Sequence, residues 1–173
     1  NHIIAHITQV NNDDDGYIQS ITTQDDAVIT GDLFIDCSGM SGLLIDKHYG
    51  IKSNSQQHIL FNDRAVAVQV PYEEPDAAIE SATLSTAQQA GWIWDIGLPT
   101  RRGTGYVYAS KYTTEEQAKD TLKRYLAQTI GDEKAASLSM RTIAFNPGYR
   151  EKFWHKNCVA IGMSSVFIEP LEA

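Results

Sequence analysis

The stretch GWIWDIGLPTRRGTGYVYAS, residues 91–110, decides the fold class of this chain. Its alternating apolar residues predict two β-strands, 91–98 and 106–110, joined by a turn at RRGTG. Side chains two residues apart in a strand project to the same face, so we expect Trp92 and Trp94 to lie side by side. Two adjacent indoles form a large, rigid apolar wall. This wall fits either a core or sheet-packing surface or the side of a pocket for an aromatic substrate or a flavin, and periodicity leaves both open.

Further strands are predicted on both sides of this stretch. Apolar and β-branched residues alternate or form short runs in 3–10, 17–21, 33–35, 64–70, 83–88, 140–145 and 159–161. The acidic run NNDDDG, residues 11–16, separates the first two. We interpret it as a hairpin turn, because position twelve of a calcium loop that starts at Asn11 would be Thr22 and not the bidentate glutamate that calcium needs.

One amphipathic helix follows residues 91–110. Thr113 and Glu116 match the capping-box pattern, in which a hydroxyl and a carboxylate bind the first free amides of a helix. Apolar residues then recur at helical spacing up to Ile130, and Gly131 supplies the stop. Residues 43–63 show no clean period and are predicted to be loop with a short helix. The predicted fold class is therefore α+β, β-rich with one clear amphipathic helix.

Composition and charge exclude several classes of function. The chain has 173 residues, with 14 Lys and Arg against 22 Asp and Glu, and a net charge of −8. This acidic balance argues against nucleic-acid binding, which needs clustered basic residues. No apolar run reaches the ~18–20 residues of a membrane span, and the five histidines show no metal-ligand spacing. Two cysteines without a Cys-x-x-Cys pair indicate reduced thiols in a cytoplasmic protein.

The run NCVAIGMSSVFIEPLEA, residues 157–173, is the second stretch that could carry chemistry. A buried strand that ends at a glycine and continues in small hydroxyl residues lets a backbone approach a phosphate or a flavin edge. Glu169 and Glu172 would lie near one face of a helix. The plainer interpretation of this acidic pair is an exposed helix start, where carboxylates suit the positive end of the helix dipole.

The chain lacks a Gly-x-Gly-x-x-Gly motif, so any dinucleotide fingerprint is expected outside it. It begins at Asn1 within an alternating apolar segment and stops at Ala173 in what reads as a continuing element. We therefore expect the sequence to be a piece of a longer polypeptide.

Several blocks, in order along the chain, resemble the flavin-dependent tryptophan halogenases. The block GWIWDI, 91–96, is similar to the double-tryptophan signature of that family, and an Arg-Gly-rich turn and GYVYAS follow it as they do there. The segment from Pro147 through 157–172 is similar to the family's C-terminal flavin-contact segment. GDLFIDCSG, 31–39, is similar to the strand that packs near the cofactor. The likeness covers essentially the whole chain.

The resemblance implies a reaction and a set of site residues. Such enzymes use reduced FAD, supplied by a separate flavin reductase, with oxygen and chloride or bromide to make hypohalous acid, which passes through a tunnel to tryptophan or a related indole. By the motif match, Glu172 is the catalytic glutamate that polarises the halogenating species and accepts the proton from the arenium intermediate. Trp92 and Trp94 would sit near the isoalloxazine and keep substrate away from it. The implied FAD contacts are Gly162, Met163 and Ser164.

The resemblance also implies the mixed α/β fold of FAD-dependent aromatic hydroxylases, of which this chain would be one β-rich partial domain. We expect residues 1–62 to supply hairpins and a strand that packs on the FAD domain. Residues 63–145 would supply the substrate-side sheet and the helix, and 146–173 a return strand with the FAD and active-site segment. Apolar surface that lacks its partners would favour a homodimer.

The chain departs from the family pattern at the double-tryptophan block. That block usually continues with Ile-Pro, whereas here Gly97 follows Ile96 and the proline comes at Pro99. The halide-binding pair, the catalytic lysine and the glycine-rich FAD fingerprint would all lie outside this chain, so the chain alone is expected not to halogenate. Two alternatives stay open on the sequence: an FAD-dependent aromatic monooxygenase on the same fold, and a non-catalytic β-rich binding module.

Overall fold

The computed structural model describes residues 2–74 and 76–169, and it has the predicted β-rich α+β architecture. The strands are β1 Ile7–Asn12, β2 Ile18–Thr23, β3 Val28–Thr30, β4 Phe34–Asp36, β5 Ser53–Ser55, β6 Arg64–Pro71, β7 Leu84–Gln88, β8 Gly91–Leu98, β9 Arg101–Tyr108, β10 Arg141–Ala144, β11 Gly148–Arg150, β12 Trp154–His155, β13 Cys158–Ala160 and β14 Val166–Phe167. The α-helices are α1 Glu115–Ile130 and α2 Asp132–Ser137. Shorter helical segments are the 3₁₀ turns Gly39–Ser41 and Gly162–Ser164 and the π-helix Leu43–His48.

The described residues form two compact units. The first unit contains residues 2–56 and Gly148–Ile168, and the second contains residues 57–147 together with Glu169. The three parts expected from the sequence, and their place in one larger domain, stay a prediction about the longer polypeptide.

The second unit is built on an antiparallel sheet of five strands in the order β10-β6-β9-β8-β7. Alternation in β6 places Val66, Val68 and Val70 on one face of this sheet, where they are buried against α1. Leu122 and Leu126 of α1 are fully buried in the same cluster. One face of the sheet thus packs against α1 and forms the core of the unit. The side chains of the opposite face do not contribute to this core.

Helix α1 confirms the predicted apolar spacing, and Gly131 caps its C-terminus as expected. The predicted capping box was displaced by one residue. The hydroxyl of Thr114, not Thr113, accepts the backbone N–H of Gln117, whose side chain accepts the backbone N–H of Thr114. Two overlapping Thr-x-x-Glu and Thr-x-x-Gln patterns occur here, and the pattern alone does not choose between them.

The turn predicted at Arg101–Gly105 was wrong, because these residues form the first half of β9. Strands β8 and β9 pair without interruption from Gly91 opposite Tyr108 to Leu98 opposite Arg101. The connection is therefore only Pro99-Thr100, a two-residue hairpin loop. Proline has no N–H to donate to a strand ladder, which explains why the pairing stops there.

The first unit contains three small sheets. Strands β1, β2 and β3 form an antiparallel meander, and the predicted hairpin at residues 11–16 connects β1 to β2. The first strand is shorter than predicted, because Ile3 and Ile4 are exposed and lie outside it. The other two sheets have the orders β12-β13-β4 and β14-β11-β5.

The core of the first unit lies around the parallel pair β4 and β13. It contains Ile18, Phe34, Leu44, Ile45, Cys158 and Ala160. Residues 43–63, predicted to be loop with a short helix, contain the π-helix and the three-residue strand β5. Among the helices of residues 2–74 and 76–169, none is long and apolar enough to cross a membrane.

Candidate active-site segments

Trp92 and Trp94 lie on the same face of β8, as predicted. Their ring centroids are 6.3 Å apart and their planes meet at 63°, an edge-on arrangement. Between them, Ile93 points to the opposite face and is fully buried in the α1 core. Both indoles are only half-buried. The α1 core therefore uses Ile93 and leaves the two indoles on the other face of the sheet, where both interpretations of the pair, a sheet-packing surface and the side of a pocket, stay open.

Gly105 allows the Trp94 ring to pack directly against the backbone of β9. Gly105 pairs with Trp94 across β8 and β9. A Cβ atom added at position 105 would lie 2.2 Å from Cζ2 of Trp94 and 2.6 Å from the carbonyl oxygen of Val66. Only glycine permits this close approach, so Gly105 in β9 determines where the indole of Trp94 can lie.

An open cavity of about 540 Å³ lies on the Trp94 face of the sheet. Its lining combines the Trp94 indole with polar and cationic side chains, which are Gln69, Arg101, Ser139 and Arg141. Pairing the β10 strand with β6 brings Arg141 opposite Ala67, so the small side chain of Ala67 leaves room on this face. The face thus offers an aromatic surface next to positive charge.

Trp92 donates a hydrogen bond to a carboxylate that the sequence did not connect with it. Its indole Nε1 lies 3.0 Å from Oε1 of Glu169, and Nδ2 of Asn62 lies 2.5 Å from the same oxygen. Glu169 is half-buried, and the helix start proposed for the acidic pair falls on residues outside the described ones, so it stays a prediction. Glu172 lies outside the described residues, and its predicted catalytic role stays a prediction.

On the α1 face, Asp95 holds the sheet and the helix together. Arg102 donates to both carboxylate oxygens of Asp95, through Nε at 3.0 Å and through Nη2. The hydroxyl of Tyr125 on α1 lies 3.2 Å from Asp95 Oδ2, and the Thr104 hydroxyl donates to Oδ1. Hydrogen bonds to Asp95 raise the pKa of Arg102 despite its burial. Arg102, predicted to lie in a turn, is therefore a strand residue whose guanidinium pairs with a buried carboxylate.

In the first unit, the predicted FAD contacts form an exposed 3₁₀ turn directly after β13. Gly162 has a φ of +60°, a conformation that favours glycine, and a Cβ added there would meet nothing within 4 Å. Met163 is 53% exposed. Ser164 differs from both: it is fully buried, and its hydroxyl donates to the backbone oxygens of Ile161 and Asp36. The turn thus presents its glycine and methionine outward and uses its serine as an anchor.

A second Gly-Met-Ser turn, Gly39–Ser41, follows the neighbouring parallel strand β4. Gly39 also has a positive φ of +66°, and a Cβ on it would lie 3.8 Å from Cε of Met163. The C-terminal ends of β4 and β13 therefore carry two adjacent turns of the same sequence. In sheets with parallel strands, ligands bind in the crevice at these ends.

Asp36 organises this end of the unit, and the sequence analysis did not single it out. Its carboxylate accepts the backbone N–H groups of Leu44 and Ile45, each at 2.8 Å, and the N–H and hydroxyl of Ser38 at 2.9 and 2.6 Å. Burial raises the pKa of Asp36, but these hydrogen bonds outweigh it and leave the pKa below its ordinary value. A buried aspartate at a strand end followed by Ser and Gly could have indicated such an anchor.

Comparison with known proteins places these segments in a family. The sequence model of the tryptophan halogenases matches residues 1–173. The chain belongs to the tryptophan halogenase family. It is 42% identical over 172 residues to a tryptophan 6-halogenase of Streptomyces toxytricini and 38% identical to a tryptophan 7-halogenase of Lentzea aerocolonigenes. Each match covers 99% of this chain and 32% of the relative.

Solved structures of similar halogenases have the same fold. The tryptophan halogenase of Shewanella frigidimarina superposes with a TM-score of 0.88 at 50% identity, covering 99% of this chain and 32% of that one. A flavin-dependent halogenase from Brevundimonas superposes with a TM-score of 0.84 at 39% identity, covering 98% and 33%. The chain thus spans about a third of the length of its halogenase relatives, and the fold assignment to that family is confirmed.

Proposed function

We propose that this chain is the central part of a flavin-dependent halogenase that acts on tryptophan or a related indole. The observation that carries the proposal is the match along all 173 residues to relatives named as tryptophan 6- and 7-halogenases. The half-buried tryptophan wall on β8 supports an aromatic substrate, since aromatic rings pack edge-on or offset against indoles. We also propose a cytoplasmic location, which the two free cysteines, Cys37 and Cys158, support.

The cofactor of the proposed enzyme is FAD, and the turn after β13 fits it. Gly162 leaves open space where a side chain would stand, Met163 is exposed, and the Ser164 anchor holds the backbone in place. We propose that Gly162, Met163 and the backbone of Ser164 contact the flavin. When bound, reduced FAD supplies, with oxygen, the oxidising equivalents that convert chloride or bromide to hypohalous acid.

Trp92 and Trp94 are proposed to separate the substrate from the flavin. Their support is the rigid placement of both rings, since Gly105 fixes Trp94 and Glu169 fixes Trp92. Two large indoles held in this way exclude water and small molecules from the space that they fill.

Glu172 is proposed as the catalytic glutamate, on the motif match alone. A carboxylate suits this role for two reasons: its charge stabilises the positive charge that develops on the indole ring, and it can accept the ring proton.

Two partners follow from the proposal. A flavin reductase would supply the reduced FAD, and a homodimer would cover apolar surface. The first unit exposes Ile35, Met40 and Ile161 to between 45% and 55%. Apolar side chains exposed to this extent fit a surface that another protein segment or subunit covers.

A chimera tests the proposed function, because the chain covers only part of a halogenase. The chain should replace the matching third of the Shewanella frigidimarina tryptophan halogenase, with which it shares 50% identity. The purified chimera would be incubated with FAD, a flavin reductase, NADH, tryptophan and either chloride or bromide. We expect halogenated tryptophan by mass spectrometry, with no product when halide is omitted.

The Glu172→Gln chimera is the matched control for this assay. Loss of the proton acceptor should lower turnover by roughly 10²-fold or more, with FAD binding unchanged. A hydroxylated product that does not depend on halide would favour a monooxygenase, and a folded chimera that binds no flavin would favour a binding module. Wild-type turnover in Glu172→Gln would remove Glu172 from the mechanism.

A further inference from the structure

Arg150 is a buried cation that the proposed flavin contacts do not include. It is the last residue of β11, and its side chain is only 6% exposed. A charged side chain is rarely buried to this extent unless it is paired and hydrogen-bonded. The groups that Arg150 binds therefore show which part of the first unit it stabilises.

On one side, Arg150 holds the turn Gly162–Ser164. Its side-chain Nε donates to the carbonyl oxygen of Ser164 at 2.9 Å, and its backbone N–H donates to the carbonyl oxygen of Ser165 at 2.7 Å. The hydroxyl of Ser164 donates in turn to the backbone oxygen of Asp36. The end of this turn is thus fixed from two directions, by β11 and by β4.

On the other side, the same guanidinium binds the corner that follows the turn Gly39–Ser41. Its Nη1 forms an ion pair with Asp46, which belongs to the π-helix Leu43–His48. Its Nη2 packs against Gly42, where an added Cβ would lie only 2.5 Å away. Gly42 ends the turn and begins the π-helix. One guanidinium therefore connects the backbone that follows both Gly-Met-Ser turns.

Arginine is suited to this double contact. Its Nε and its two Nη groups donate in different directions within one plane, whereas lysine carries one ammonium and has no counterpart of Nε. Burial raises the pKa of Asp46, but hydrogen bonds and charge from Arg150 and Lys52 outweigh it and leave the pKa below its ordinary value. The carboxylate therefore stays ionised near neutral pH and compensates the buried guanidinium.

We propose that Arg150 is a positioning residue of the flavin site: it fixes the turn Gly162–Ser164 against the turn Gly39–Ser41, so that Met163 and its neighbours keep one conformation. This inference rests on the proposed function, in which Gly162, Met163 and the backbone of Ser164 contact the flavin. A surface that is already ordered loses less conformational entropy when a ligand binds. Release of the turn should therefore lower the affinity for FAD without any contact between Arg150 and FAD.

The experiment measures the affinity for oxidised FAD in the Shewanella chimera described above, well below the melting temperature of each variant. The variants are Arg150→Lys, Gly42→Ala and the double variant. Arg150→Lys keeps a positive charge for Asp46 and removes the Nε donor. Gly42→Ala keeps the arginine and places a methyl group where its Nη2 lies.

Gly50→Ala is the matched control for Gly42→Ala. Both glycines have a positive φ, +72° for Gly50 and +48° for Gly42, so alanine strains the backbone at either position. A Cβ at position 50, however, would meet nothing within 4 Å. The control therefore carries the strain without the collision with Arg150.

Arg150→Lys and Gly42→Ala should each weaken FAD binding by roughly 10- to 100-fold, the range expected when a buried hydrogen-bonding group loses its partner. Gly50→Ala should bind FAD within about twofold of wild type, even though its melting temperature falls. The double variant should be no worse than about twofold below Arg150→Lys, because both changes displace one guanidinium. Loss of stability alone would leave the affinity of the folded molecules unchanged, so this measurement separates positioning from stabilisation.

A second measurement follows the turn itself in the 173-residue chain and needs no flavin. The N–H of Ser165 donates to the carbonyl oxygen of Gly162 at 3.0 Å and closes the turn. Its hydrogen exchange should be at least about tenfold faster in Arg150→Lys, because the turn opens locally. The N–H of Thr23, which donates to the carbonyl oxygen of Ala27 at 3.0 Å in another part of the unit, should exchange at the wild-type rate.

Three results would overturn the inference while leaving the proposed function intact. If Arg150→Lys binds FAD as tightly as Gly50→Ala, Arg150 positions nothing that FAD contacts. If the losses in Arg150→Lys and Gly42→Ala multiply in the double variant, they do not act through one guanidinium. If Ser165 exchanges in Arg150→Lys as slowly as in wild type, the turn does not depend on Arg150.

Two further outcomes are decided by the same set of proteins. If Arg150→Lys does not fold, the comparison of Gly42→Ala with Gly50→Ala decides, and equal affinities for FAD in these two variants would overturn the inference. A folded chimera without substitutions that binds no FAD would reject the proposed function, and the inference with it.

Discussion

At the scale of single residues, Gly105 determines where the Trp94 ring can lie. The indole occupies the space in which any other residue would place its Cβ. A Cβ atom at position 105 would lie 2.2 Å from Cζ2 of Trp94. Such a distance is far below van der Waals contact, so either the ring or the β8–β9 pairing must move if a methyl group is added. Gly103, two residues earlier on the same strand, differs, because a Cβ there would meet only Leu98 at 3.6 Å.

This difference makes Gly105→Ala and Gly103→Ala a matched pair. We expect Gly105→Ala to lower the free energy of unfolding by about 1–3 kcal/mol through overpacking and to shift the tryptophan emission spectrum. Gly103→Ala should change stability by less than about 0.5 kcal/mol, as for an ordinary surface substitution. Urea unfolding followed by fluorescence measures both. Equal stability of the two variants would mean that Trp94 does not rest on Gly105.

The negative charge of Asp36 stabilises the start of the π-helix, because its carboxylate accepts the backbone N–H groups of Leu44 and Ile45. Its folded-state pKa lies below the ordinary value of 3.8, because hydrogen bonds from Ser38, Leu44 and Ile45 outweigh the effect of burial. A depressed carboxyl pKa contributes stability that is complete above the unfolded-state pKa and is lost as pH falls through the folded-state pKa. The free energy of unfolding should therefore decrease below about pH 4, and part of this decrease belongs to Asp36.

Asp36→Asn tests this assignment. The variant should be less stable than wild type at about pH 6 by about 1–3 kcal/mol, since an amide cannot accept all four hydrogen bonds. Its stability should also change less than that of wild type between about pH 6 and about pH 3. Asp14→Asn, at an exposed turn position, is the control and should retain the wild-type pH dependence. Parallel curves for Asp36→Asn and wild type would contradict the prediction.

At the scale of elements, Asp95 joins α1 to the sheet. Asp95 is 5% exposed, and it binds Arg102 on β9 and Tyr125 on α1. Removing one partner of a buried pair leaves an uncompensated charge and costs about 3–5 kcal/mol. The Asp120–Lys123 pair on the surface of the same helix is longer, at 3.9 Å, and exposed. Exposed pairs of this kind contribute about 0–1 kcal/mol.

Asp95→Ala and Asp120→Ala therefore have different expected costs. We expect Asp95→Ala to lower the free energy of unfolding by about 3 kcal/mol, and Asp120→Ala to change it by less than about 0.5 kcal/mol. Chemical denaturation monitored by circular dichroism at 222 nm reports on both through α1. If Asp95→Ala is nearly as stable as Asp120→Ala, the helix is held by its apolar face alone.

The elements also indicate what sequence patterns can and cannot decide. The apolar period of α1 and the alternation of β6 are local, and both predictions were confirmed. The boundary between β8 and β9 was wrong because arginines and glycines suggested a turn, while the actual two-residue loop is Pro99-Thr100. Arg102 is accepted in the strand because Asp95 neutralises it, and that partner becomes apparent only when the strands are paired.

At the scale of the whole molecule, local sequence patterns predicted some features of the candidate segments, and long-range contacts decided the others. The common face of Trp92 and Trp94 follows from strand geometry alone and was predicted correctly. The contact of Trp92 with Glu169 joins residues 77 positions apart, and no pattern of spacing reports on such a pair. The two Gly-Met-Ser turns come together because β4 and β13 are parallel neighbours, which the sequence did not specify. Long-range pairing, and not local propensity, thus brings together the residues of each candidate segment within its own unit.

The two cysteines report on the integrity of the first unit. Burial in the core raises the pKa of the Cys158 thiol to about 11, with a further contribution from the charge of Asp36, whereas Cys37 is exposed. Only the thiolate reacts with alkylating agents, so Cys158 is protected both by burial and by protonation. At about pH 8, iodoacetamide should modify Cys37 within minutes, and Cys158 only when the unit opens.

Ile45→Ala provides the decisive variant, because Ile45 is fully buried in the same core cluster as Cys158. Loss of this side chain should cost about 2–5 kcal/mol and speed Cys158 labelling by at least tenfold, since labelling follows the population of the open form. The labelling rate of Cys37 should not change.

Ile35→Ala, at a 55% exposed position on β4, is the control and should leave both rates near those of wild type. Mass spectrometry of tryptic peptides measures the two sites separately. Rapid labelling of Cys158 in the wild-type chain would mean that this core is not closed, and the anchoring of both Gly-Met-Ser turns at the strand ends would then lose its physical basis.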